Sequence, residues 1–184
     1  MAARQGAEVC ARRRWGVAAR SAYRGVGLQL VDDKGRVAIP SNLRAALEKN
    51  SGADAGGKPA RNFLIGAHES ERCLVAYDEA QGDALWEQLE ARESQYVGDK
   101  GEIDFNILRE GAGAAEPAQY DSSGRFILPA FPRSYARIGK HAFFYGVLKR
   151  IEIWDPATLL EHERAPEIMK EACRFYLAEK GIEL

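Results

Sequence analysis

Residues 31–44 read VDDKGRVAIPSNLR, and residues 120–133 read YDSSGRFILPAFPR. Asp32 answers to Asp121, Gly35 to Gly124, Arg36 to Arg125, Ile39 to Leu128, Pro40 to Pro129 and Arg44 to Arg133, at a constant offset of 89 residues. In each copy the glycine permits a positive φ, so the chain can reverse tightly after the aspartate. The apolar run that follows predicts a strand, and Pro40 or Pro129 then opens a short helix, where proline is tolerated. One chain writing this pattern twice implies an internal duplication.

The repeat extends beyond the turn. NFLIG (62–66) and CLVAYD (73–78) follow the first copy; AFFYG (142–146) and IEIWD (151–155) follow the second. These β-branched and aromatic runs, bounded by turn residues, predict two further strands per copy, each pair ending in an aromatic and Asp. Ile151 and Ile153 alternate with Glu152, the period of a half-buried strand. Register drifts downstream because the Gly/Ala-rich insertion at 48–61 stands where the second copy has only RIGKH (137–141). Gly139 is the expected stop of the second short helix.

A longer helix is expected after each copy. Over 79–92, Leu85, Trp86 and Leu89 form one stripe. Over 156–181, Ile168, Ala172, Phe175 and Tyr176 do the same, with Pro166 splitting the segment and Gly181 ending it. The unit is therefore β-turn-β-α-β-β-α, present twice. About 50 core residues per copy bury too little surface to stand alone. One pseudo-twofold domain exchanging strands between its halves is the expected solution.

Composition sets the outer limits. The 184 residues are 46% hydrophobic and 29% charged, as in ordinary globular proteins, and no run approaches a membrane span. Cys10, Cys73 and Cys173 are odd in number and widely spaced, which predicts reduced thiols in a cytoplasm-like compartment. The net charge of −1 hides a gradient: residues 1–50 carry +6, residues 51–120 carry −8 and residues 121–184 carry +1. A neutral total therefore does not exclude an anionic partner, since local patches govern such binding. Residues 1–25 hold six arginines and one acid without a period. They read as a disordered basic arm or as upstream sequence from an early start, with a transit peptide as the compositional alternative.

The two turns, followed by SYARIGK and FYGVLKRIEIWD in the second half, resemble the MraZ family and its two AbrB/SpoVT-type halves. The resemblance covers about residues 23–165. It implies a mainly β fold with flanking helices (α+β), a pseudo-twofold, swapped-hairpin or double-psi-like β-barrel. It further implies a ring-shaped homo-oligomer that binds G-rich direct repeats in double-stranded DNA and regulates the bacterial division and cell-wall gene cluster, as a repressor at the nucleoid. The family's Asp-x-x-x-Arg motif falls on Asp32 and Arg36 and again on Asp121 and Arg125, so Arg36 and Arg125 are the implied DNA-contacting residues, with Lys34 beside the first. The second turn departs from the pattern in carrying Ser122 and Ser123.

The chemistry of the turn can be read independently. Arg matches guanine O6 and N7 bidentately, worth about 1–3 kcal/mol of discrimination per good pair, while Lys34 suits phosphate as a point charge. Asp32 and Asp121, with Gly35 and Gly124, would support the turn. Asp32 to Arg36 can equally be a simple ion pair closing a hairpin, and the two readings are compatible. Arg44 and Arg133 are expected as exposed helix residues or partners of acids. Tyr77 and Trp154 are expected as core anchors.

Enzyme readings find little support. His68, His141 and His162 share no ligand spacing, and no nucleophile elbow, P-loop or dinucleotide fingerprint occurs; GAGAAE (111–116) lacks the third glycine. No catalytic residue, metal, cofactor, small-molecule substrate or membrane contact is expected. The expected division is an arm at 1–25, a first repeat with its helix at 26–95, a connector at 96–114, a second repeat at 115–165 and a C-terminal helix at 166–184. The rival function is an AbrB-like antitoxin or interaction module, binding a partner protein through that helix.

Overall fold

A computed structural model describes residues 20–53, 56–95, 109 and 115–184. The arm expected at 1–25 lies outside the described residues as far as residue 19, as do nearly all of the 96–114 connector, Cys10 and most of GAGAAE. The first half runs β1 (Val26–Leu30), β2 (Arg36–Ala38), α1 (Ser41–Asn50), β3 (Asn62–Ala67), β4 (Leu74–Tyr77) and α2 (Glu79–Gln95). The second runs β5 (Ala115–Gln119), β6 (Arg125–Ile127), α3 (Ala130–Tyr135), β7 (His141–Gly146), β8 (Ile151–Trp154), α4 (Pro156–Glu161) and α5 (Glu167–Glu179). The fold is mixed α+β, and its strands pair antiparallel.

Six strands form one sheet in the order β1-β7-β8-β4-β3-β5, and β2 and β6 pair as a separate ribbon. Replacing each strand by its counterpart in the other half reverses this order and leaves it otherwise unchanged. The opening strand of each half pairs with the third strand of the other: β1 with β7, β5 with β3. Neither half could therefore complete its sheet alone. The expected closed barrel is not what forms. β1 and β5 are opposite ends of an open sheet, because the short β2 and β6 pair with each other and do not bridge those ends.

Two apolar clusters hold these layers. One joins both halves through Val37, Leu43, Leu47, Phe63, Ile65, Phe126, Phe144 and Ile153. The other packs Leu28, Phe143, Trp154 and Leu159 beneath Met169, Cys173 and Leu177 of α5. Tyr77 and Trp154 are buried as expected; Phe143 and Phe144 of β7 are buried too. Tyr23 is fully buried, and its hydroxyl donates to Asp78 at 2.5 Å, tying the chain before β1 to the end of β4.

Three local expectations are corrected. In α5 the buried residues are Met169, Cys173 and Leu177, one position on from the expected stripe, and Ile168 and Phe175 are 71% and 63% exposed. Both stripes are apolar at i, i+4 spacing, so packing against β1 chose between them. In α2, among the described residues, Leu89 alone is buried in the core; Trp86 faces outward and donates to Glu90 at 2.8 Å. Finally, α3 stops at Tyr135, and it is Arg137, at φ 56°, that turns the chain, not Gly139.

Candidate nucleic-acid interface

Each Asp-x-x-Gly-Arg segment is a hairpin closed by its own aspartate. Oδ1 of Asp32 accepts from the backbone N–H of Lys34 (2.9 Å) and of Arg36 (2.8 Å), and Oδ2 accepts from Nε of Arg36 at 2.6 Å. Oδ1 of Asp121 accepts from the backbone N–H of Ser123 (2.8 Å) and of Arg125 (2.9 Å). Its Oδ2 takes Nε of Arg125 at 2.9 Å and Nη2 at 2.8 Å. Backbone bonds reinforce both turns, from Gly35 to Asp32 and from Gly124 to Asp121, each at 2.9 Å. Short polar side chains that bond amides two residues ahead stabilise such reversals locally. The amides of Arg36 and Arg125 are the leading cause that holds the Asp32 and Asp121 carboxyls below their ordinary range, followed for Asp32 by the guanidinium.

The two hairpins then lock onto each other. Arg36 pairs with Ile127, Val37 with Phe126 and Ala38 with Arg125 in the β2–β6 ribbon. Ile39 donates to the Gly124 carbonyl and Leu128 to the Gly35 carbonyl, each at 2.9 Å. Strand side chains alternate between faces. Val37 and Phe126 accordingly point inward and are buried, with Phe126 edge-on to Phe63 at 5.1 Å and 88°. Arg36, Ala38, Arg125 and Ile127 share the opposite, outer face. There the side chains of Arg36 and Arg125 are 53% and 62% exposed. They sit diagonally across the ribbon, a relation that spaces side chains by about 7–8 Å.

This geometry suits recognition. Each aspartate engages its arginine from the Nε side, in Arg125 through Nη2 as well, which leaves the outward-pointing hydrogens of Nη1 and Nη2 to present two donors. Two acceptors spaced like guanine O6 and N7 fit that end. Lys34 is exposed at the tip of the first hairpin, and Ser122 and Ser123 at the tip of the second. Every site residue expected from the sequence therefore falls on one structure, and the intramolecular ion pair coexists with an outward guanidinium.

Arg44 and Arg133 have a role that motif reading missed. Each crosses from its own helix to the hairpin of the other half. A methyl group at Gly124 would lie 2.8 Å from Cδ of Arg44, and one at Gly35 would lie 3.1 Å from Nη1 of Arg133. Gly35 and Gly124, at φ 77° and 80°, are thus required by the turn, and at Gly124 a side chain would also have to displace Arg44. Arg44 also pairs with Glu48 at 3.7 Å, one of the two outcomes expected for it. Arg133 instead donates to the carbonyls of Ile138 (3.0 Å) and Gly139 (3.1 Å). The shared 89-residue offset marked these arginines as equivalent, but which hairpin each touches depends on the exchange between halves.

Among the described residues, no three His, Cys, Asp or Glu side chains cluster as metal ligands, and no helix is long and apolar enough to cross a membrane.

Comparison with known proteins places related chains beside this geometry. The family described as "MraZ protein, putative antitoxin-like" matches residues 112–165. Transcriptional regulator MraZ of Coxiella burnetii (strain Dugway 5J108-111) is 30% identical over 132 residues, covering 72% of this chain and 78% of its own. The regulator of the same name from Shewanella frigidimarina is 29% identical over 136 residues, 74% and 81% of the two chains. That of Legionella pneumophila (strain Corby) is 28% identical over 150 residues, 82% and 90%.

Proposed function

The chain belongs to the MraZ family, a family of transcriptional regulators and not of enzymes, and on that premise we propose that it is a sequence-specific DNA-binding regulator of transcription. Arg36 and Arg125 read guanine edges, and Lys34 holds a phosphate. The observation that carries this is their placement: two exposed guanidinium groups on the outer face of one ribbon, each steadied by an aspartate and backed by a buried Val37–Phe126 pair.

In the finer form of the proposal, the chain assembles into a ring, sits on adjacent G-rich direct repeats upstream of the division and cell-wall genes, and represses by occlusion in the cytoplasm at the nucleoid. Direct repeats suit head-to-tail subunit contacts better than a palindrome-reading dimer does. A few contacts per subunit are weak, but linked subunits raise effective concentration and gain avidity of about 10²–10⁴.

The test is binding to DNA from upstream of the chain's own operon, titrated against salt. Arg36→Ala and Arg125→Ala are each expected to lose about 1–3 kcal/mol and to relax base preference at one position. Affinity independent of salt, or unchanged in both variants, would overturn the reading.

The second reading, a partner-protein module, draws on the exposed Ile168 and Phe175 of α5. An Ile168→Glu/Phe175→Glu variant that keeps full DNA affinity while losing a co-purifying protein would favour it.

A further inference from the structure

The ribbon is nearly twofold, but its surroundings are not. At the first hairpin, Lys34, Gly35, Arg133 and Arg137 line one shallow surface hollow in which Asp33 is the only acid among the described residues. Arg133 is satisfied there by two carbonyl groups, so its charge is not cancelled by a carboxylate. At the second hairpin, Ser123 stands in the place of Lys34, and Arg44 is paired with Glu48. Glu48 is itself the residue 89 positions before Arg137.

Arg137 is unusual on a second count. It takes φ 56° just after α3, where its N–H donates to Ser134 at 3.1 Å and the next N–H reaches Arg133 at 3.1 Å. This is the helix-ending position that glycine fills at no steric cost, and an L side chain there costs stability. The residue is exposed, and no side-chain partner for it is found among the described residues. A cation is held at a strained position beside two further cations, Lys34 and Arg133, with one acid, Asp33, among them.

We propose that Arg137, with Lys34 and Arg133, grips a backbone phosphate next to the Arg36 hairpin, and that this one-sided grip sets the direction in which the chain lies along the duplex. The proposal rests on the DNA-reading function above. Arg36 and Arg125 are related by the local twofold of an antiparallel ribbon, and a DNA duplex has local twofolds of its own. Two such arginines alone therefore fit either orientation. Phosphate contacts carry no sequence information but fix register and orientation. Unequal phosphate contacts on the two sides remove the degeneracy, as tandem sites read in one direction require.

Arg137→Gly tests this, because glycine suits φ 56° and the variant should melt no lower than the parent chain. Its slope of log affinity against log salt should be shallower by about 0.9, one phosphate contact, with the base preferences of Arg36 and Arg125 retained. Arg137→Lys should restore the slope. For direction, an iron chelate attached at Ser122→Cys in a Cys10→Ser background should cut DNA on one side of a single site. Adding Arg137→Gly should make the cutting two-sided. If the parent chain binds specifically while Arg137→Gly keeps its salt slope and one-sided cutting, this inference fails and the regulator reading stands. If the parent chain shows no specific binding, the regulator reading itself fails.

Discussion

Phe126 is where the proposed reading face depends most directly on the core. It lies opposite Val37 on the inner side of the ribbon, is buried, and meets Phe63 edge-on at 5.1 Å and 88°. Phe126→Ala should cost about 3–5 kcal/mol, combining lost transfer energy with the cavity left behind. Of that, about 0.5–1.5 kcal/mol belongs to the ring pair beyond burial. Against a total of about 5–15 kcal/mol for a typical domain, that is a large fraction of the stability. Urea denaturation of Phe126→Ala, Phe63→Ala and the double variant closes a thermodynamic cycle. The double variant should lose about 0.5–1.5 kcal/mol less than the two single losses added together, because the ring contact is removed only once. A single-variant loss below about 1 kcal/mol, or losses additive within about 0.3 kcal/mol, would refute the claim that this ring pair anchors the ribbon.

Two further outcomes are expected. Gly124→Ala forces an L side chain to φ 80° and sets a methyl group 2.8 Å from Cδ of Arg44; it should destabilise by at least about 1–2 kcal/mol, read as a lower urea midpoint with unchanged m. Asp32 and Asp121 are held below their ordinary value of 3.8, so their contribution is present above that pH and is lost as pH falls through the lower folded-state values. Stability should therefore drop in the window below about pH 4, and the Asp32→Asn/Asp121→Asn double variant should show a shallower drop across it. Equal acid slopes would remove the turn-supporting role assigned to the two carboxylates.

The hairpins were legible because their causes are local. A glycine able to take positive φ and an aspartate that bonds amides two and four residues ahead act within one turn, and the 89-residue offset announced a second copy. Strand positions were legible too, since β-branched and aromatic runs between turn residues leave few alternatives. Helix faces were not. Ile168–Phe175 and Met169–Leu177 are both apolar stripes on α5, and only the shape of the sheet beneath decides which is buried. Arg137 escaped notice because its peculiarity is a backbone angle, which its letter does not reveal.

By itself the sequence established the duplication, the two aspartate-braced arginines, the order of strands and helices along each copy, and the resemblance to a regulator family. That the halves exchange strands was expected; tertiary structure decided that β1 and β5 are the strands exchanged and that the sheet stays open. It also decided that both arginines share one outer face, and that each helix arginine covers the other half's glycine. The division follows from range: turns and strands are set by neighbours a few residues apart. Pairing across 89 residues is set by which buried faces fit together, and no local pattern encodes that fit.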